Sequence, residues 1–195
     1  MDALPLTFAS GWASGINAYA TVFLLGLLGR FAGVHGVPEG FQRTDVLVVM
    51  GALALVEFVA DKIPYLDSAW DGISTIIRPV AGALIGALIA GATGDLPSIA
   101  LAAVGGVTAL LSHTAKTGIR LAINTSPEPV TNISASLAGD IGVVGVVTLA
   151  VAYPVPAAII AGTILAVSLS VALLLIGRVR AGWKAFRRWL SRSQT

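Results

Sequence analysis

Apolar residues gather into six stretches along this chain, and polar residues separate them. The first stretch runs from Leu4 to Ala32. About 20 apolar residues cross a bilayer, so this one is too long for a single straight span. Ser10-Gly11 and Ser14-Gly15 are its weak points. It is either a tilted helix or a re-entrant half-helix that turns back before a full span. Irregular backbone at membrane depth survives only where protein or a watery cavity satisfies it. A polar loop, Gly33 to Thr44, follows.

The second span is Val46 to Ala60, and Asp61-Lys62-Ile63-Pro64 ends it. From Tyr65 to Arg78, Leu66, Ala69, Trp70, Ile73, Ile76 and Ile77 recur at helical spacing opposite Asp67, Asp71 and Ser74. That pattern predicts a short amphipathic helix lying at the interface. The third span, Val80 to Thr93, spaces Gly82, Gly86 and Ala90 by four, a flat face for close helix packing. The fourth runs from Ser98 through His113 to Asn124. Two prolines make 124–132 a loop, with Thr131 or Asn132 expected to cap the fifth span, Ile133 to Ala152. The sixth, Ala157 to Ile176, carries no charge.

Composition turns these stretches into membrane spans. The chain has 195 residues, 56% hydrophobic and 11% charged, with mean hydropathy +0.88. A soluble domain carries about 25% charged residues. The expected fold is therefore an all-α polytopic membrane protein of about six membrane segments, with interfacial amphipathic helices and a re-entrant first element as an open alternative. Residues 1–177 form the membrane domain. The chain has no cysteine, which excludes thiolate metal sites and cysteine nucleophiles.

The net charge of +2 hides an asymmetry. Arg178, Arg180, Lys184, Arg187, Arg188 and Arg192 all lie in residues 178–195, where there is no acid. Trp183, Phe186 and Trp189 accompany them, as in a basic amphipathic cytoplasmic tail that meets anionic headgroups. This is no nucleic-acid domain. Six spans would put the N-terminus in the cytoplasm with the tail. Asp2 stands where a signal peptide carries bases, so the N-terminal stretch is expected to be mature sequence.

A few charges sit inside or beside the apolar stretches. Glu57 and Asp61 share one helix face, and His113, Lys116 and Arg120 share another. Ionisable groups are costly beside lipid, so such residues face the bundle interior and mark a pathway or a buried ion pair. Glu57 and Asp61 are expected to face Lys116 and Arg120, with Asn17, His113 and Asp140 nearby. Asp67 and Asp71 extend the acidic series along one membrane edge. Arg78, Asn124, Ser126, Glu128 and Asn132 suit a loop that lines a mouth or touches a headgroup phosphate. Each has a plainer reading: helix-locking pairs, a hydrogen-bonded core histidine, an ordinary capped loop. Ser14-Gly15-Ile16 with Asn17 and Thr21 faintly echoes Thr117-Gly118-Ile119 with Asn124 and Thr125, as an inverted repeat would.

Ser14-Gly-Ile-Asn-Ala-Tyr19 leading into Leu24-Leu-Gly-Leu-Leu-Gly-Arg30 resembles the opening of a family of small bacterial membrane proteins catalogued as domain of unknown function 4126. The likeness continues at Val56-Glu-Phe-Val-Ala-Asp-Lys-Ile-Pro64, Asp67, Trp70-Asp71 and Ile77-Arg-Pro79. It returns at Ala115-Lys116, Arg120, Asn124-Thr-Ser-Pro-Glu-Pro129, Asn132, Ser136 and Asp140, and so covers nearly the whole chain. Gly139-Asp140 stands where the family pattern has a Glu-Asp pair, which weakens a metal site there. The resemblance implies a multi-pass protein of the bacterial inner membrane and no established activity.

No phosphate-binding loop, nucleophile elbow, HExxH motif or dinucleotide fingerprint is present. The expectation is a non-enzyme without cofactors, though an intramembrane enzyme acting on lipid needs no such motif. The leading function is a transporter or channel-like protein for an ion or small polar solute, with small size and small-residue faces favouring a homo-oligomer, a homodimer among the options. The alternatives are a lipid-handling protein, a scramblase or lipid-phosphate carrier using Lys116, Arg120 and Arg78, and a non-transporting scaffold.

Overall fold

A computed structural model describes residues 3–34, 36–63, 65–91, 94–125 and 129–192. The protein is an all-α polytopic membrane protein, with no strand among the described residues. Its helices are α1 (Ala3–Ile16), α2 (Ala18–Phe31), α3 (Thr44–Ala60), α4 (Leu66–Ile89), α5 (Leu96–Ile123), α6 (Pro129–Ala152) and α7 (Pro154–Arg192), with a 3-10 turn at Glu39–Gln42. Helix α4, helix α5, α6 from Val130 and α7 to Lys184 are each long and apolar enough to cross a bilayer.

The first apolar stretch is two helices of 14 residues, each about 21 Å long. The break falls at Asn17, not at the Ser-Gly pairs. Asn17 is extended (φ −150°, ψ 101°), and its Oδ1 accepts from the Ala20 amide at 2.8 Å. That bond caps α2. Thr21 Oγ1 donates to the Asn17 carbonyl at 2.8 Å, so the buried turn keeps its polar groups partnered.

The Ser-Gly pairs serve packing instead. Residues 9–15 are buried without interruption, because α4, α5, α6 and α7 all lie against α1. A Cβ on Gly11 would come within 2.7 Å of the Gly105 carbonyl oxygen, and one on Gly82 within 2.5 Å of it. Only glycine at these positions lets α1, α4 and α5 approach backbone to backbone. The bulkier core surrounds this seam: Leu6, Trp12, Leu25, Ile85, Val143 and Val147.

Contacts along the helices fix their directions. Thr7 lies against Gly86, and Ser14 Oγ donates to the Arg78 carbonyl, so α1 runs opposite to α4. Phe23 lies against Gly51 and Gly26 against Leu47, so α2 runs opposite to α3. Glu57 meets Arg78, while Val46 and Met50 share a groove with Leu84 and Leu88. Hence α3 runs opposite to α4, and α2 runs back along α1. The pair forms a hairpin whose tip, Asn17, stands beside the midpoints of α4 and α5.

Several expectations change. The first apolar stretch is two short helices that fold back on each other, where the sequence left a tilted helix or a half-helix followed by a full span. Among the described residues the chain alternates direction through seven helices, so Ala3 and the C-terminal end of α7 lie at opposite ends of the bundle, whereas six spans would have put both termini on one side. Residues 65–78 form no separate interfacial helix, because α4 is continuous through Pro79. Its polar face, Asp67, Asp71 and Ser74, is buried, while Ile73 and Ile76 are 62% and 74% exposed. The amphipathic pattern is real, but its polar side points inward. The basic tail likewise continues α7 without a break. Thr131 and Asn132 lie inside α6, which starts at Pro129.

Candidate functional site

Helix α3 ends on acids. Glu57 lies in its last turn, and Asp61 is its C-cap. Carboxylates near a helix C-terminus oppose the helix dipole and need outside cations. Helix α4 brings one. Asp67, Asp71, Ser74 and Arg78 follow at intervals of four, three and four, which is one helix face. Helix α5 brings His113, Lys116 and Arg120 on a third face. Tyr65, with φ +71°, turns the chain between Asp61 and Asp67 so that both carboxylates reach Arg120.

The result is one buried ion network. Arg78 Nη2 donates to Glu57 Oε1 at 2.5 Å, and its Nη1 lies 3.0 Å from Asp71 Oδ1. Arg120 Nη1 donates to Asp71 at 2.7 Å and to Asp61 at 3.1 Å, and its Nε lies 3.3 Å from Asp67. Lys116 Nζ donates to Asp61 at 2.5 Å and to the Ile16 carbonyl at the hairpin tip at 2.8 Å. Asn124 holds Asp67 from the far side at 3.1 Å and Ser68 at 2.9 Å. Four carboxylates meet three cations, so one negative charge of the cluster is uncompensated. Glu57 is 0% exposed, and its Oε2 has no hydrogen-bond partner among the described residues.

His113 is a core histidine in a fixed tautomer. Arg78 Nη1 lies 2.7 Å from His113 Nδ1, and arginine can only donate. The ring proton is therefore on Nε2, 3.0 Å from Thr75 Oγ1. Thr75 spends its own proton on the Asp71 carbonyl. The ring has no room for a second proton unless the Arg78 bond breaks.

Beside the network, α1, α5, α6 and α7 line a partly open cavity of about 310 Å³. It runs along α5 from Ser112 to Ile123, about 16 Å. Lys116 and Arg120 form one wall. Asn132, Ser136 and Ser168 supply polar groups opposite. Asn132 is 1% exposed, and neither amide atom has a partner among the described residues. Unpartnered buried amides are uncommon, since each costs about 1–3 kcal/mol. Arg120 Nη2 and one N–H of Lys116 likewise meet no described residue. A second recess, about 720 Å³ and nearly all apolar, lies between α2, α3 and α6. At its inner end Lys62 pairs with Asp140 at 3.0 Å and donates to Ser136. No group of three metal-ligating side chains stands together among the described residues.

Glu57, Asp61, Lys116, Arg120 and His113 thus come together as their spacing implies, although Glu57 pairs with Arg78 rather than with Lys116 or Arg120. Asn17 and Asp140 stand beside the cluster, in the wall of the apolar recess. Arg78 is not a headgroup contact. It is 1% exposed, at the centre of the network. Asn124 is tied to Asp67, and Asn132 faces the cavity. Ser126 and Glu128 lie outside the described residues. Asp67 and Asp71 are full members of the network, and their spacing with Arg78 is the signal that marks them.

A family model described as a domain of unknown function (DUF4126) matches residues 4–174. No curated protein and no solved structure matches the chain.

Proposed function

The chain belongs to the DUF4126 family, and since that description names no activity we propose from its geometry that it is a transporter or channel-like protein of the inner membrane for an ion or small polar solute. The cavity against Lys116 and Arg120 carries this reading. An ion network alone would serve equally well as a fastener between helices, because buried pairs hold geometry without adding much net stability. A fastener has no use for an adjoining cavity with an unpartnered buried amide. In this reading the α1–α2 hairpin is a re-entrant element, and its tip carbonyl at Ile16 fixes Lys116 at mid-depth. The basic tail leaves α7 at the network end, so that end faces the cytoplasm.

Osmotic swelling of proteoliposomes tests the proposal with a panel of small ions and polar solutes. Permeation above that of empty liposomes is expected for at least one solute, with loss in Asn132→Leu, which replaces the amide by an apolar group of the same shape. A folded, monodisperse protein that leaves every solute at the empty-liposome rate would sink the idea.

The apolar recess between α2, α3 and α6 favours a second reading, lipid handling, with an acyl chain in the recess and Lys62 near its headgroup. Its lining contains none of Arg78, Lys116 and Arg120. A fluorescent-lipid scrambling assay separates the two, since the transport reading expects no scrambling above protein-free vesicles.

A further inference from the structure

The cavity's own chemistry narrows what it accepts. At about 310 Å³ it sits at the small end of ligand pockets. Its groups without a partner among the described residues are mostly donors: Arg120 Nη2, one N–H of Lys116, Asn132 Nδ2 and the Ser168 hydroxyl, against Asn132 Oδ1 as the amide acceptor. Donors carried by cations bind oxyanions best, through short charge-assisted hydrogen bonds. Yet the adjoining network already holds one more carboxylate than cation. A bare anion added beside it would deepen that imbalance in a poorly solvated place.

A proton relieves the imbalance, and Glu57 offers a seat for it: Asp71 Oδ1 also accepts no hydrogen bond, but it lies 3.0 Å from Arg78 Nη1. Glu57 Oε2 is buried and unpartnered, at the end of the chain Glu57–Arg78–Asp71–Arg120 that leads to the cavity wall. The groups around Glu57 are Arg78 from α4, Lys116 from α5, Asp61 from its own helix and Tyr19 from α2. His113, behind Arg78, is blocked by its hydrogen bonds. Asp61, Asp67 and Asp71 each meet Arg120.

We infer that the cavity binds one small monovalent oxyanion through Lys116, Arg120 and Asn132, and that a proton on Glu57 binds cooperatively with it. This names the substrate class of the transport reading and rests on that reading for its use. Linkage is reciprocal. The anion raises the network's affinity for the proton, and the proton raises the cavity's affinity for the anion. Anion affinity therefore falls as pH rises.

Nitrate and acetate, both ionised near neutral pH, are titrated calorimetrically into protein in nanodiscs between pH 6 and 9, in buffers of unlike ionisation enthalpy. Saturable binding with net proton uptake is expected, weaker at higher pH. Asn132→Ala, which breaks no pairing seen in the structure, lowers affinity about tenfold. Glu57→Gln still binds, with no proton uptake and no pH dependence. Absence of saturable binding to a folded protein overturns the inference, as does binding without proton uptake at every pH. Swelling driven by a neutral solute or a cation, with neither anion bound, overturns it and leaves transport standing. Proton-linked anion binding without any flux does the reverse.

Discussion

The two ends of the bundle are held by opposite means. At the end where the chain starts, α1, α4 and α5 meet through Gly11, Gly82, Gly86 and Gly105. Among the described residues, no buried charge lies in that seam. At the other end α4 and α5 meet α3 through Glu57, Asp61, Asp67, Asp71, Arg78, Lys116 and Arg120. The glycine end is close-packed, backbone against backbone. The ionic end spaces its helices with long side chains, keeps an unpartnered carboxylate oxygen and opens onto a cavity. A mere anchor gains nothing from the second arrangement, since well-packed apolar residues of similar volume are often as stable. The hairpin tip marks the border, because α1 reaches only as deep as Asn17.

Removing Arg120 should give the largest effect. Arg120→Met leaves buried Asp67 without a cation and leaves Asp61 and Asp71 with one each, and loss of one partner from such a cluster costs about 3–5 kcal/mol. The thermal midpoint in detergent is expected to collapse. Arg120→Lys should recover only part of it, because a single ammonium cannot span three carboxylates as a guanidinium does. Full recovery by lysine would mean that the network is looser than its distances imply.

The glycine end should break by crowding instead. Gly105→Ala puts a methyl against the Gly82 backbone, and overpacking of this kind costs about 1–3 kcal/mol. Its signature is lower stability with solute binding intact. A variant that kept full stability would show that the seam can open, and the contrast between the ends would fail.

Glu57→Gln sharpens the comparison from inside the network. It removes the one uncompensated charge while Oε1 still accepts from Arg78. A change under about 1 kcal/mol is expected, whereas Asp61→Asn, which loses charge opposite both Lys116 and Arg120, should cost several times more. Equal losses would mean that the charge on Glu57 is compensated as fully as the charge on Asp61.

Much of this contrast is legible in the amino-acid sequence. Apolar lengths mark the spans, and helical spacing marks Glu57 with Asp61 and Lys116 with Arg120. The glycine spacing in 82–90 marks a packing face. Two features mislead for physical reasons. A stripe of Asp67, Asp71 and Ser74 opposite isoleucines reads as a solvated face in water, but in a bilayer the polar side turns inward. Ser-Gly pairs read as breaks, yet a helix surrounded by four others needs small residues along its length. The true break, at Asn17, rests on one capping side chain, a weaker signal than two glycines. The cavity has no sequence signal at all, since it depends on how α5, α6 and α7 stand apart around Asn132.

The smallest effect belongs to an ion pair outside both regions. Arg43 and Asp45 meet at 2.7 Å, but their side chains are 68% and 62% exposed. Exposed pairs contribute about 0–1 kcal/mol, because water solvates both charges and ordering two side chains costs entropy. Arg43→Ala should therefore leave the thermal midpoint nearly unchanged and leave solute binding untouched. The pair in the network between Arg78 and Glu57 has a similar length and a wholly different setting, so burial and distance can be separated as sources of the effect. If Arg43→Ala cost as much as Arg120→Met, exposure would not be what divides the strong pairs from the weak ones, and the ionic end would owe its strength to something other than the exclusion of water.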